Sequence, residues 1–345
     1  MCAKLPRSAP ATTGASHVLN MTPIPRKNLV AVNLLALGVC ATVALVYWLA
    51  FDALPAAGIP ADTQPRQPMS LVKQWLVVLT AFGVKPFYLL VSLGVVLWLW
   101  RQRSPDLTAL RWGLIWFWAG EQSCTVNWLL YAGASEGWEY LHNFGMVAGF
   151  AFVFWAVMEG VDGRLIHFSA ENERCTALAL CRRCSKYADE PCGFRRVFLI
   201  TVPAAAVLAL LPLTAGFKLT SYGANVLGAA VCYSHSPASQ WFELRLCPAL
   251  ALACFAVAWL GLCSQGKQAV SRSKLFFAAG LGPLSFGLMR MSLVATFSND
   301  LMWFEAWEEW TELLFVLSVV CLLWTFRHGL FANDSTAHND APATL

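Results

Sequence analysis

Residues 29–51 read LVAVNLLALGVCATVALVYWLAF, an apolar run without a charged side chain. A helix that crosses the hydrocarbon core of a bilayer needs about 20 such residues. The run is also longer than the roughly 7–15 apolar residues of a typical signal peptide, so it predicts a retained membrane helix. The rest of the chain agrees, because 58% of its 345 residues are hydrophobic and only 13% are charged. Soluble domains carry roughly 25% charged residues.

Eight stretches are long and apolar enough to cross a bilayer. They lie at about 29–51, 75–100, 112–132, 140–160, 196–216, 247–263, 275–297 and 306–327. The third and the eighth contain polar residues within the apolar run, and Trp and Tyr concentrate near the proposed ends, where such side chains favour the headgroup level. The sequence therefore predicts an all-α, polytopic bundle of about eight transmembrane helices in contact with lipid.

The basic residues test this count independently. Eighteen of the 24 Lys and Arg residues fall in the tails and alternate connections on one side, four fall on the other side, and Lys85 and Arg290 lie within spans. Cytoplasmic segments carry the excess of Lys and Arg, so we expect both termini in the cytoplasm, with the inner membrane as the location if the source is bacterial. The formal charge of +4 is too small and scattered to indicate a nucleic-acid partner.

The same pattern divides the chain into five parts. They are a disordered cytoplasmic tail (1–28), in which Met21 could be the natural start, helices one to four (29–160), a cytoplasmic Cys-rich loop (161–195), helices five to eight (196–328) and a second disordered cytoplasmic tail (329–345).

Four cysteines stand close together in the long cytoplasmic loop. The stretch CTALALCRRCSKYADEPC contains Cys175, Cys181, Cys184 and Cys192. Four thiols within one short segment, including a C-x2-C pair, can surround one zinc ion or one iron–sulfur cluster. Cytosolic thiols stay reduced, so a disulfide framework is not expected there. The alternative is a set of unliganded thiols on a loop next to the membrane.

Two further cysteines, Cys232 and Cys247, fall in the predicted outer connection between spans five and six. An oxidising compartment permits a disulfide between them. Two free thiols near helix ends explain the sequence equally well.

Lys85 and Glu121 are the first pair of charges predicted inside the bilayer. Lys85 lies about 15 Å from the outer end of span two, and Glu121 reaches nearly the same level on span three. Charges in hydrocarbon need partners, so we expect an ion pair. Pro86 lacks an N–H and could leave a carbonyl free for the site, while Gln122 and Asn127 add polar groups.

A second polar group lies at the start of span eight. Four carboxylates stand at helical spacing on one face: Glu305, Glu308, Glu309 and Glu312. Arg290 of span seven lies at a depth comparable to that of Glu312. It is the natural counter-ion, since a guanidinium can hold a carboxylate bidentately. Four carboxylates cannot all stay ionised around one arginine, so protons or a cation must share the site. The face could bind a cation, carry protons or only clamp two helices together.

The histidines and small residues give weaker signals. His142 and His235 are predicted to be interfacial histidines on the outer side. The glycines of FGMVAGF (144–150) and AAGLGPLSFG (278–287) are predicted to allow close helix contact.

Three functions are compatible with these features. The first is a membrane protein that handles a small solute or ion through the intramembrane polar residues. The second is a membrane redox component or enzyme whose cysteine loop carries an electron-transfer cluster. The third is a sensor or assembly factor, which would need a separate membrane protein partner because no output domain is fused to it.

Overall fold

A computed structural model of the protein describes residues 66–131, 133, 135–166, 192–216, 220–263, 269–297 and 300–331. Its elements, in chain order, are β1 (Arg66–Gln67), α1 (Leu71–Leu79), α2 (Lys85–Trp98), α3 (Pro105–Tyr131), α4 (Glu136–Gly160), α5 (Cys192–Thr214), β2 (Thr220–Val226), β3 (Ala229–His235), α6 (Pro237–Trp241), α7 (Cys247–Cys263), α8 (Ala269–Phe297) and α9 (Leu301–Phe331). Short π-helical turns join α1 to α2 (Thr80–Val84), follow α4 (Val161–Ile166) and join α6 to α7 (Phe242–Leu246).

The described part of the chain confirms a helical membrane bundle. Six of its helical segments are long and apolar enough to cross a bilayer: Leu71–Arg101, Glu136–Arg164, Val197–Thr214, Ala238–Cys263, Arg272–Phe297 and Leu301–Arg327. Large apolar side chains face outward on them, for example Leu90, Ile200 and Leu260, as expected for contact with lipid.

The count of eight spans and the side of the termini stay predictions. The predicted first span, 29–51, and both predicted tails lie outside the described residues. The predicted third span is the helix α3, which is long enough but too polar to stand among the six. Its apolar run is interrupted by Glu121, Gln122 and Asn127.

Five helices enclose the centre of the molecule. α2 packs on α3, α3 on α4, α4 on α8, α8 on α9, and α9 returns to α2. α7 packs on the outer side of α8, and α5 packs on both of them. Residues that point inward from the five helices therefore meet in one central space.

Glycines allow the closest of these helix contacts, as the sequence predicts. A Cβ at Gly145 of α4 would lie 2.5 Å from the Cα of Gly120 on α3. A Cβ at Gly282 of α8 would lie 2.5 Å from the carbonyl oxygen of Val147 on α4. Small residues at such contacts let helix backbones approach each other in a membrane.

A β-hairpin covers one end of the bundle, which the all-α prediction did not include. β2 and β3 are antiparallel, with Val226 opposite Ala229, and β1 adds two residues beside β2. Leu227 and Gly228 form the turn with positive φ values of 48° and 88°, as a two-residue hairpin turn of type I′ requires. Ala224 and Val226 are buried against α8 and α9. We call this end of the bundle the hairpin end.

The opposite end, which we call the Arg164 end, is fastened by buried ion pairs. Arg164 holds Asp106 bidentately, with Nε at 2.6 Å from Oδ2 and Nη2 at 3.1 Å from Oδ1. Lys274 Nζ lies 2.7 Å from both Asp162 Oδ2 and Glu159 Oε1. These contacts join α3, α4 and α8 where the bundle would otherwise separate.

Candidate functional site

Two of the π-helical turns precede a proline and present a buried charge. Thr80–Val84 leads into Lys85 and Pro86, and Phe242–Leu246, which contains Glu243, leads into Cys247 and Pro248. A proline cannot donate an N–H and crowds the carbonyl of the preceding turn. The wider π turn accommodates this locally, and such turns are frequent at functional sites.

Lys85 joins two helices through two carboxylates. Its Nζ lies 2.7 Å from Glu121 Oε2 on α3 and 2.7 Å from Glu309 Oε1 on α9. The side chain of Glu121 is 0% exposed, so its charge is removed from solvent and from lipid headgroups. The structure thus contains the Lys85–Glu121 pair that the depths on the two helices predict, and it adds Glu309 to that pair.

Tyr88 is the centre of the carboxylate group. It lies one turn after Lys85 on α2 and is 0% exposed. Its hydroxyl oxygen is 2.7 Å from Glu121 Oε2, 2.6 Å from Glu309 Oε2 and 2.6 Å from Glu312 Oε2. A phenol has one proton to donate and two lone pairs that accept. Two of the three carboxyl groups must therefore donate a proton to Tyr88 if all three contacts are hydrogen bonds.

His142 connects this group to a second one. Its Nδ1 lies 3.3 Å from Glu121 Oε1, and its Nε2 lies 3.8 Å from Glu308 Oε1. The residue is 2% exposed. The prediction of an interfacial histidine is therefore wrong for His142, because α4 begins at Glu136 and carries the imidazole inside the bundle.

The second group is centred on Arg290. Its Nη2 lies 2.5 Å from Glu308 Oε1, and its Nε lies 3.1 Å from Glu243 Oε1 without the alignment of a hydrogen bond. Glu243 Oε2 is in turn 2.9 Å from His235 Nε2 on β3. His235 is half-buried, so this chain of contacts reaches the hairpin end of the bundle.

These contacts form one continuous set, which we call the polar cluster. It consists of Lys85, Tyr88, Glu121, His142, His235, Glu243, Arg290, Glu308, Glu309 and Glu312. Glu139 and Glu305 stand three residues before His142 and Glu308 on the same helices, nearer the hairpin end. Both are half-buried and place two more carboxylates at that side.

Toward the Arg164 end the polar cluster stops at aromatic rings. The ring centroids of Tyr88 and Phe117 are 5.9 Å apart, and Phe315 lies 5.2 Å from both Phe117 and Phe150. Beyond them the buried residues are aliphatic: Val95, Val96, Leu99, Leu107, Leu114, Val319 and Leu323. We call these rings and aliphatic residues the apolar section. From Glu121 to Leu107 α3 rises about 20 Å, so in the described part of the chain the apolar section separates the polar cluster from the Arg164 end.

Three residues of the predicted site lie apart from these contacts. Asn127 is buried but accepts a hydrogen bond from Ser135 N at 3.0 Å, so it closes the connection between α3 and α4. Gln122 is half-buried, and no contact of the described residues joins it to the polar cluster. Glu305 is at the rim.

Sequence reasoning missed Tyr88 and Glu243. Tyr88 stands in an apolar run, where a tyrosine gives no charge signal. Glu243 lies before residue 247, where hydropathy alone starts the predicted span. The structure begins the corresponding membrane segment at Ala238.

The structure describes only some of the cysteines in the predicted metal and disulfide sites. Cys175, Cys181 and Cys184 lie outside the described residues, and only the backbone of Cys192 is described, at the start of α5. The zinc or iron–sulfur assignment therefore stays a prediction. Cys247 is a free, fully buried thiol packed with Phe242 and Phe286. The structure does not contain the disulfide between Cys247 and Cys232, because the Cys247 side chain turns into the apolar core.

Comparisons of the chain with protein-family models, with curated proteins and with solved structures found no match. The class that the fold and the site define is a multi-pass helical membrane protein with a buried, carboxylate-rich cluster between five helices.

Proposed function

We propose that this membrane protein moves a small cation across the bilayer in exchange for protons, taking the cation into the polar cluster from the hairpin end. The observation that carries the proposal is the meeting of three carboxylate oxygens at the single hydroxyl of Tyr88, at 2.6–2.7 Å. Negative charges this close are stable only when protons or a cation accompany them.

Ion pairs that only hold helices together do not explain why the cluster contains more carboxylates than lysine and arginine side chains. Lys85 and Arg290 could each be neutralised by one carboxylate. The described cluster instead offers five: Glu121, Glu243, Glu308, Glu309 and Glu312. Removing each carboxylate from water is expensive, and a purely structural contact would not require more of them than it pairs.

The position of the cluster supports uptake from one side. Glu139 and Glu305 add negative charge near the hairpin end, and such a charged entrance raises the local concentration of cations. The apolar section prevents ions from leaving toward the Arg164 end, since an apolar constriction excludes water and ions. Passage through the whole bundle would therefore require Phe117 and Phe315 to separate.

The test uses the purified full chain in liposomes that enclose a pH-sensitive dye. A pulse of external Na⁺, K⁺, Mg²⁺, Mn²⁺ or Zn²⁺ should drive protons in the opposite direction for at least one cation. Glu312→Gln keeps the shape of the side chain but cannot carry the exchangeable charge, so it should abolish the signal. Glu136→Gln is the matched control, because Glu136 is exposed and lies outside the cluster. If wild-type protein moves no protons with any of these ions, or if Glu312→Gln moves them equally well, the proposal is wrong.

A further inference from the structure

Three side chains from three helices form a donor set of their own within the polar cluster. Glu121 of α3, His142 of α4 and Glu312 of α9 each offer one ligand atom, and these atoms lie within 4.8 Å of one another. All three residues are nearly fully buried, at 0%, 2% and 2% exposure. The inference drawn from this set rests on the proposed function, since it names the chemistry of a cation for the same cluster.

Glu121 and Glu312 each contact the rest of the cluster through hydrogen bonds at Oε2, while their Oε1 atoms make no hydrogen bond to a described residue. Glu121 Oε2 and Glu312 Oε2 both contact Tyr88, and Lys85 also holds Glu121. Among the described residues, Glu121 Oε1 and Glu312 Oε1 are buried and have no hydrogen-bond partner. His142 Nδ1 lies 3.3 Å from Glu121 Oε1 and 3.3 Å from the carbonyl oxygen of Gly120, and only the contact with Gly120 has the geometry of a hydrogen bond. Buried polar atoms are normally satisfied. Two unsatisfied carboxylate oxygens beside one imidazole therefore point to a ligand that accepts electron pairs.

The types of donor atom restrict the class of cation that this site can bind. Mg²⁺ and Ca²⁺ prefer sites made of oxygen ligands, whereas a set of two carboxylates and one imidazole suits zinc and related transition metals. Three protein ligands with a free fourth position is also the arrangement of zinc sites that exchange a bound molecule. We propose that Glu121, His142 and Glu312 bind one divalent transition-metal ion, for which zinc is the probe.

Neighbouring residues hold the ligands in place. Lys85 and Tyr88 fix Glu121 through its Oε2, and Tyr88 fixes Glu312 in the same way. Such contacts to the far side of a ligand orient it toward a metal. This site is separate in sequence from Cys175, Cys181 and Cys184, whose metal binding is a different prediction.

The experiment measures zinc content of the full chain in detergent. Cys181→Ser and Cys184→Ser are introduced first, so that the thiol loop does not contribute. After loading with ZnSO₄ and gel filtration, this background should retain about one zinc per chain. Glu312→Gln and His142→Gln should each weaken zinc binding by at least about tenfold. Glu136→Gln is the matched control, because Glu136 is exposed and lies outside the polar cluster, and it should bind zinc as the background does.

The zinc and liposome measurements together distinguish failure of the metal site from failure of the proposed function. The metal site is wrong if the background binds no zinc, or if Glu312→Gln and His142→Gln bind it as tightly as Glu136→Gln does. Gel filtration and circular dichroism identify a variant that fails to fold, and the remaining ligand variant then decides the question. If no zinc binds but liposomes still exchange protons for Na⁺ or K⁺, the metal site fails while the proposed function stands. If neither is observed, both fail.

Discussion

The Tyr88 hydroxyl lies 2.6 Å from Glu312 Oε2 and shares that position with carboxylates from two further side chains. Glu312 is the deepest of the four carboxylates on the α9 face, and Tyr88 comes from the neighbouring helix α2. The contact therefore links two neighbouring helices of the five-helix ring, α2 and α9, through groups of the polar cluster. It also shows which group organises the surplus carboxylates, namely a neutral phenol between them.

Removing the hydroxyl should destabilise the protein. Tyr88→Phe leaves Glu121, Glu309 and Glu312 without the group that separates them, and we expect a loss of about 1.5–3 kcal/mol, the range for hydrogen bonds to charged groups. Thermal unfolding in detergent measures it. Tyr131→Phe is the control, since Tyr131 is 49% exposed. An equal melting temperature for both variants would show that the three contacts at Tyr88 do not stabilise the fold.

Metal binding should release protons. Glu121 and Glu309 both contact Lys85, whereas the described contact of Glu312 is with Tyr88, so we expect Glu312 to carry a proton before zinc binds. Zinc requires an ionised Glu312, so at least about one proton should leave for each zinc bound.

A zinc titration in weak buffer with a pH indicator measures that ratio, in the background that lacks Cys181 and Cys184. Glu136→Gln should release the same number of protons, because Glu136 is exposed and lies outside the polar cluster. Zinc binding without proton release would contradict this assignment of charges.

The pairing of Arg290 can be measured by a double-mutant cycle. Arg290 Nη2 lies 2.5 Å from Glu308 Oε1, so Arg290→Met alone leaves a buried charge and should cost about 3–5 kcal/mol. Combining it with Glu308→Gln should cost clearly less than the sum of the single changes. Arg290→Met with Glu312→Gln should be nearly additive, because Glu312 contacts Tyr88 instead. Denaturation of the wild-type protein and of all five variants supplies the free energies, and additivity of the Glu308 pair would refute the contact.

The sequence predicted the helices and one ion pair because both depend on fixed geometry. A constant rise per residue gives the depth of a charge once the helix ends are known, so Lys85 and Glu121 could be matched. Hydropathy likewise located the six described membrane segments, although the segment that begins at Ala238 was predicted to begin only at residue 247.

The partners within the polar cluster depend on helix rotation, which depth does not determine. The depth along the helices favoured Glu312 as the partner of Arg290, but the structure pairs Arg290 with Glu308 and directs Glu312 to Tyr88. The hairpin was missed for a related reason. Its strands are short, and its turn contains Leu227 rather than the Asn or Asp usual at that position.

Close packing of α3 on α4 should tolerate no added methyl group. The Cβ of an alanine at position 145 would lie 2.5 Å from Gly120 Cα, so the helices would have to separate. We expect Gly145→Ala to cost about 1–3 kcal/mol, as overpacking usually does. Gly94→Ala is the matched control, because nothing lies within 4 Å of a Cβ there, and it should be neutral or stabilising. If the two variants unfold alike, the helix contact at Gly145 is looser than described.

The apolar section should act as the barrier to protons on the side away from the hairpin. Phe315 packs against Phe117 in a tilted arrangement and against Phe150 edge to face. Phe315→Ala would open a space that water can enter from the polar cluster. Liposomes containing this variant should lose an imposed pH gradient faster than those with wild-type protein. Phe326→Ala is the control on the same helix, since Phe326 is 57% exposed. A folded Phe315→Ala variant that holds the gradient as long as Phe326→Ala does would show that the barrier to protons lies elsewhere in the protein. The apolar section would then no longer support uptake of the cation from the hairpin end.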